Sequence, residues 1–146
     1  MNESTNAPQI LQALISADPH TVRLAHNQAL PLHRFLYNAE GIDPTIATVS
    51  ISMLLEAYPD SVNIPDSDGR LPIHIAAEDC DVSILKTITA ANPDNLSQID
   101  PRYGSGSVAH SAVSRRNLEN IHCIHSVMPE LFSLPWMSIV GLRCFY

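Results

Sequence analysis

Histidine and cysteine are the residues of this chain that could most readily take part in chemistry, since the sequence contains seven histidines and three cysteines. His122 and His125 lie three positions apart, with Cys123 between them, so a helix would bring both rings to one face. With a carboxylate they could serve a metal-dependent enzyme. A zinc site needs three or four converging ligands, however, and the chain contains neither Cys-x-x-Cys nor His-Glu-x-x-His. We therefore expect no metal ion and interpret this segment as a helix with one packed and one solvated face.

Carboxylates are the second group that could do chemistry. Seven of them lie between Glu56 and Asp81, where Arg70 is the only cation. The adjacent Glu78 and Asp79 could act as a general acid and base, but turns and helix surfaces commonly carry such residues as solvated groups. The chain has no Gly-x-Ser-x-Gly motif, and its glycine-rich segment 104–107 is too short to cradle a phosphate. These patterns predict a protein that is not an enzyme and uses no cofactor.

Composition and charge narrow the range of partners. The 146 residues include 8 basic and 15 acidic side chains, which give a net charge of −7. Because nucleic-acid binding depends on basic residues that neutralise phosphates, we expect neither DNA nor RNA as a partner. Three widely separated cysteines and an N-terminus without a signal-peptide pattern favour an intracellular protein, cytoplasmic or nuclear. No stretch reaches the ~18 apolar residues of a membrane-spanning helix, so we expect no membrane partner.

Four of the 11 prolines mark an internal repeat. Pro19, Pro59, Pro93 and Pro129 are separated by 40, 34 and 36 residues. The positions eight, five and two residues before each proline, and three residues after it, are apolar in all four segments. Apolar residues spaced three apart share one helix face, and a proline disfavours helical geometry at the residue before it. Each segment is therefore predicted to be a short helix that ends near its proline.

Two kinds of helix are predicted. The longer helices are expected at Pro8–Ala17, Pro44–Ala57, Val82–Ala91 and Leu118–Val127, with N-caps at Asp43, Asp81 and Asn117. The shorter helices are expected to follow Leu30-Pro31, Leu71-Pro72 and Ser107-Val108, and to cover Arg34–Asn38, Ile75–Asp79 and Ser111–Arg115. The apolar residue after each repeat proline is expected to begin an extended stretch.

The segment from Asn63 to Ala77 resembles the signature of the ankyrin repeat family. It matches the family pattern Asp-x-x-Gly-x-Thr-Pro-Leu-His-x-Ala-Ala in spacing and nearly in identity. The residues that carry the match, with the histidines at the same place in the other repeats, are Asp66, Gly69, Leu71, Pro72, Ile73, His74, Ala76, Ala77, His33 and His110. The resemblance implies an all-α fold, an ankyrin-like solenoid of stacked helix-turn-helix repeats with hairpin loops.

The implied array occupies residues 1–132. It would consist of a half repeat at 8–22 and repeats at about 23–62, 63–96 and 97–132, followed by an apolar tail at 133–146. The tail is either a helix that caps the last repeat or part of a truncated repeat. Leu30 and Leu71 replace the threonine that caps the first helix in the family, and Gln28 replaces the turn glycine. In the family the repeated histidine bonds backbone between neighbouring repeats, so the resemblance implies a structural role for His33, His74 and His110.

The resemblance also implies a function, because ankyrin repeats bind proteins on the concave surface formed by hairpin tips and first helices. The candidate contact residues are Asn27, Arg34, Tyr37, Ser67, Asp68, Arg70, Ile75, Glu78, Asp79, Tyr103, Ser111 and Arg115. Because carboxylates outnumber cations in the middle repeat, we expect a protein partner with a basic or mixed-charge patch. The alternative is an accessory repeat region of a larger enzyme or signalling protein whose catalytic domain lies outside this chain. The sequence specifies neither the partner nor the oligomeric state.

Overall fold

The fold is all-helical in the part of the chain that the structure describes. The structure is a computed structural model, and it describes residues 7–104 and 106–132. The α-helices in these ranges are α1 (Ala7–Ala17), α2 (Pro31–Tyr37), α3 (Pro44–Ala57), α4 (Pro72–Asp79), α5 (Val82–Ala91), α6 (Val108–Ser114) and α7 (Leu118–Val127). The predicted all-α class is confirmed for these residues, whereas the apolar tail at 133–146 lies outside them. None of the described helices has the length and apolar character needed to cross a bilayer.

The long helices begin where their N-cap residues predict. The Oδ1 atom of Asp43 accepts hydrogen bonds from the backbone N–H groups of Thr45 at 2.9 Å and Ile46 at 3.3 Å. Asp81 accepts in the same way from Ser83 N at 2.8 Å, and Asn117 accepts from Asn120 N at 3.2 Å. These bonds satisfy N–H groups that have no partner within the helix. The three predicted N-caps are confirmed.

Each long helix ends before its repeat proline, as predicted, but the chain then continues as a 3-10 helix and not as an extended stretch. These turns are Pro19–Arg23, Pro59–Asn63, Pro93–Ser97 and Pro129–Phe132. Proline suits the first position of a helical turn because its φ is already helical and no N–H bond is required there. The turn also directs the apolar residue three positions later into the core, where Val62 and Leu96 are buried. The prediction that these residues begin extended stretches is wrong.

The helices form two layers. The short helix α4 packs between α2 and α6, while α1, α3, α5 and α7 pack one after another in the second layer. Contacts within the pairs α2–α3, α4–α5 and α6–α7 join the two layers. Ile75, Ile51 and Leu85 are fully buried in the core that both layers share. Ala76 and Ala112 are also fully buried, and their small side chains suit the close contact of α4 with α6.

The loops before the short helices contain the backbone turns of the repeat. His26 and Ala29 exchange backbone hydrogen bonds, and the two residues between them have positive φ, 52° at Asn27 and 60° at Gln28. This pattern is typical of a type I′ turn, which therefore forms without the glycine expected at Gln28. In the loop before α4, Gly69 adopts the positive φ, at 79°.

Replacing Gly69 with alanine is expected to lower the free energy of unfolding by about 2–3 kcal/mol, for two reasons. The residue has a left-handed backbone, which costs a side chain about 1 kcal/mol, and the new Cβ would lie 2.9 Å from Cγ of Pro101. Gly41→Ala is the matched control, because Gly41 has a φ of +81° but open space around its Cβ position. Urea denaturation should show a loss of about 1 kcal/mol for Gly41→Ala. Equal losses for the two variants would contradict the contact with Pro101.

Candidate functional site

Two buried histidines, His33 and His74, connect the short helices α2 and α4 to the loop that follows in the next repeat. Nδ1 of His33 accepts from Leu30 N, and Nδ1 of His74 accepts from Leu71 N, each at 3.0 Å. The imidazole thereby satisfies the backbone N–H of each N-cap leucine, whose own side chain makes no capping hydrogen bond. Because Nδ1 is an acceptor, the proton of each ring is on Nε2. Nε2 of His33 donates to Ile64 O at 2.9 Å, and Nε2 of His74 donates to Gln98 O at 3.1 Å. His33 and His74 thus make the backbone bonds that the ankyrin resemblance implies, and His110 lies at the equivalent place in α6.

Protonation of the buried histidines should destabilise the fold. Burial lowers the pKa of His33, His74 and His110 below 6.5, and the backbone hydrogen bonds of the first two only partly offset this effect. When the pH falls below the pKa that these histidines have in the unfolded chain, the unfolded chain therefore binds more protons than the folded chain. We expect the free energy of unfolding to be highest near pH 7 and to fall as the pH decreases towards about 5. Urea denaturation across this range measures the effect, and a flat profile would contradict the neutral, buried histidines.

The tyrosine cluster, formed by Tyr37, Asp66, Asp68 and Arg70, joins α2 to the loop before α4. Asp66 is buried, and its Oδ1 accepts from the backbone N–H groups of Asp68 at 2.8 Å and Arg70 at 2.9 Å. Its Oδ2 accepts from the Tyr37 hydroxyl and from Nε of Arg70 at 3.1 Å. Burial raises the pKa of Asp66, but these hydrogen bonds outweigh burial and lower it below its ordinary value. The ionised carboxylate therefore holds the loop in one conformation.

The guanidinium of Arg70 completes this cluster. Its carbon lies 5.3 Å from the centre of the Tyr37 ring, and Nη2 donates to the tyrosine hydroxyl at 3.1 Å. Burial and the hydrogen bond to Asp66 raise the pKa of Tyr37 to about 12, so the hydroxyl stays protonated. Tyr37 remains 40% exposed, whereas the Arg70 side chain is mostly covered. The cluster therefore presents an aromatic side chain in a fixed position at the surface.

The arginine cluster, formed by Glu78, Asp100, Arg102 and Ser111, has the same role one repeat later. Asp100 is fully buried and accepts from the backbone N–H, Nε and Nη2 of Arg102, at 3.0, 3.2 and 2.7 Å, and from Ser111 Oγ at 2.9 Å. Nη2 of Arg102 also donates to Glu78 at the end of α4. Burial raises the pKa of Asp100, but the bonds from Arg102 and Ser111 lower it overall. The cluster joins α4, the following loop and α6.

Three residues predicted to form the contact surface are buried. Ile75 belongs to the core between the layers, Ser111 donates to Asp100, and Glu78 accepts from Arg102. Ile75 and Glu78 lie three positions apart on one face of α4, and Ser111 lies on α6, but the fold covers all three side chains. The prediction that Ile75, Ser111 and Glu78 contribute exposed contacts is wrong.

The other predicted contact residues lie mainly on the loops before α2 and α4 and at the ends of the short helices. Those with exposed side chains are Asn27, Arg34, Tyr37, Ser67, Asp68, Asp79 and Arg115. Tyr103 ends a 3-10 turn at Pro101–Tyr103, and its side chain lies outside the described part of the structure. The surface is less acidic than the sequence suggests, because Arg102 and Arg115 reach carboxylates of α4 from the next repeat.

An open groove of about 410 Å³ lies where α2, α4 and α6 end. Its lining residues are Leu36, Tyr37, Glu40, Glu78, Asp79 and Arg115. Arg115 approaches Glu78 with Nε at 3.5 Å and Asp79 with Nη2 at 3.3 Å. Burial and the charge of Glu78 raise the pKa of Asp79 despite this contact. The groove therefore combines apolar, aromatic and mainly acidic groups.

Sequence reasoning missed several polar residues that hold this surface in place. The most important are Asp100, Arg102, Asn95 and Asn120. Asn95 Nδ2 donates to Val62 O and to Asn63 Oδ1, each at 3.0 Å, and so connects consecutive 3-10 turns. One signal could have identified Asp100: it follows Asp66 by 34 residues, the interval that also separates Pro59 from Pro93.

Metal binding and thiol chemistry have little structural support in the described residues. No group of three or more His, Cys, Asp and Glu side chains in ranges 7–104 and 106–132 is placed to hold a metal ion. The ring of His125 packs against Phe132, with 5.5 Å between centroids. Cys80 is buried, and burial raises the pKa of its thiol to about 12, which disfavours the reactive thiolate.

Comparison of the chain with protein-family models, with curated proteins and with solved structures finds no match. The interpretation of function therefore depends on the geometry of the described surface and on the resemblance carried by residues 63–77.

Proposed function

We propose that this chain is an ankyrin-type repeat module that binds a protein partner and has no catalytic role. Three features of the described helices support the repeat assignment. Like helices pack on like helices in both layers, each long helix is followed by a proline-initiated 3-10 turn, and His33 and His74 make equivalent bonds to the next repeat. The apolar core is shared between neighbouring units, as in other repeat proteins.

The observation that carries the binding proposal is the rigid support of the exposed loops. Asp66 and Asp100 are buried beneath the loops before α4 and α6, and each accepts at least four hydrogen bonds. The loop before α4 consequently presents Ser67 and Asp68 to solvent in a fixed arrangement. Loops that are ordered before binding lose less conformational entropy when a partner binds. This arrangement favours a surface for recognition.

The charge of the surface defines the partner more closely. Asp66, Asp68, Glu78, Asp79 and Asp100 supply five carboxylates, and Arg70, Arg102 and Arg115 supply three guanidinium groups that pair with them. The remaining charge is negative, and the exposed Arg34 adds a separate cation on α2. A protein surface with a basic or mixed-charge patch complements this pattern.

Affinity capture with matched variants tests this proposal. In the binding variant, Asp68→Ala and Arg34→Ala remove one exposed charge of each sign from the candidate surface. In the control variant, Glu56→Ala and Lys86→Ala remove the same charges from α3 and α5 in the other layer. We expect quantitative mass spectrometry to show a partner that the wild type and the control retain and that the binding variant loses about tenfold or more. Partners lost only by the control variant would contradict the assignment of the surface.

A further inference from the structure

The groove at the ends of α2, α4 and α6 has the shape and the charge to receive a cationic side chain. Glu40 is exposed at its rim and forms no ion pair with the described residues. Asp79 and Glu78 lie on α4 and share Arg115, and Glu78 also pairs with Arg102 of the loop before α6. The groove therefore has more negative than positive charge.

Arg115 shows which kind of cation these carboxylates accept. Its guanidinium contacts both Glu78 and Asp79, but at 3.5 and 3.3 Å, longer than the 2.7–2.9 Å of a strong charge-assisted hydrogen bond. Its side chain is also 63% exposed, so its contacts are loose and easily exchanged. A second guanidinium could bind beside Arg115 or replace it. Binding of either kind is favoured when Arg115 is removed, since the two cations repel or compete.

The partly exposed Tyr37 favours arginine over a smaller cation. Its side chain can cover the aliphatic part of a long side chain, whereas Leu36 is buried in the core. A planar guanidinium can also stack on an aromatic ring and donate to carboxylates on two sides, here Glu40 and Asp79. A lysine ammonium offers a point charge without this planar geometry.

We propose that this groove binds an arginine side chain of the protein partner. The proposal rests on the proposed protein-binding function and specifies which chemical group of the partner enters the surface.

Titration of the isotopically labelled full chain with N-acetyl-arginine amide, followed by NMR, tests the proposal without knowledge of the partner. We expect saturable shifts of the backbone amides at Tyr37, Glu40, Asp79 and Arg115. N-acetyl-citrulline amide, the neutral analogue, should cause no saturable shifts, and N-acetyl-lysine amide should bind at least about twofold more weakly. Citrulline that binds as well as arginine, or shifts confined to other elements, would overturn the proposal.

Variants give the second part of the test. Glu40→Gln and Asp79→Asn should each weaken arginine binding by about two- to fivefold, while Arg115→Ala should strengthen it. Glu56→Gln on α3 removes an exposed carboxylate outside the groove and should have no effect. Glu40→Gln is the decisive variant, because Glu40 supports no described ion pair and its loss leaves the fold intact. Wild-type affinity in this variant, or weaker binding in Arg115→Ala, would overturn the proposal.

The result is separable from the proposed function. If a captured partner depends on Asp68 and Arg34 but the arginine probe does not bind, the protein-binding function stands and the arginine groove is wrong. If the probe binds the groove but no partner depends on the surface, the groove is correct as a guanidinium site and the protein-binding function is wrong.

Discussion

Replacement of Asn120 with alanine is expected to lower the free energy of unfolding by about 3 kcal/mol. Asn120 is fully buried on α7, and its Nδ2 donates to the carbonyl oxygens of Ala76 at 3.2 Å, Ala77 at 3.0 Å and Cys80 at 2.9 Å. These carbonyls belong to the C-terminal end of α4, where carbonyl groups run out of helical partners. Ala76 O also accepts from Cys80 N at 3.2 Å, and Cys80 O also accepts from Asn117 Nδ2 at 3.2 Å. Alanine would leave them buried without this donor.

Asn38→Ala is the matched control for this experiment. Asn38 also donates through Nδ2 to a helix carbonyl, that of Arg34 at 2.7 Å, but the bond is exposed to solvent. Water can replace the lost donor there, so a loss below about 1 kcal/mol is expected. Urea denaturation of both variants measures the difference. Similar losses would mean that the amide of Asn120 does not stabilise the end of α4.

Replacement of Asp100 with alanine should have an effect of similar size, about 3 kcal/mol, because it removes the centre of the arginine cluster. Arg102 would lose the carboxylate that accepts from its Nε and Nη2 atoms, Ser111 would lose its acceptor, and the loop before α6 would lose the bond to the backbone of Arg102. Asp100→Asn keeps an acceptor oxygen but not the charge, so an intermediate loss is expected.

Asp94→Ala is the control for the lost charge, since Asp94 is an exposed carboxylate on the preceding 3-10 turn. Its replacement should change the free energy of unfolding by no more than about 0.5 kcal/mol. Chemical denaturation near neutral pH provides the comparison. A loss for Asp100→Ala as small as that for Asp94→Ala would show that the cluster contributes little to the stability of the repeat.

Local signals explain why the long helices could be predicted closely. The bounds expected for α3, α5 and α7 agree with the structure, and α1 begins one residue before the expected Pro8. Each helix combines an apolar face, and in three cases an N-cap, with a proline that ends it. These signals act within a few residues of the chain, so a single sequence contains them. The 3-10 turns were missed because the prolines were interpreted only as helix ends.

The surface was predicted less well because it depends on contacts between repeats. Glu78 lies 24 residues from Arg102, and Asn120 lies 44 residues from Ala76. Spacing within one short helix could not indicate that Ile75 is buried in the core or that Arg102 of the next repeat pairs with Glu78. The exposed positions Asp68 and Arg115 were correctly predicted to lie at the surface, because hairpin tips and helix ends project from any such stack.

Hydrogen–deuterium exchange of the chain with and without a captured partner tests the central proposal most directly. A partner bound to the surface of loops and short helices should slow exchange at the amides of residues 24–30 and 64–71 and at the C-terminal ends of α2 and α4. Exchange in the middle of α3 and α5 should stay unchanged, because these helices lie in the other layer. Protection confined to α1, α3, α5 and α7 would contradict the proposed binding surface.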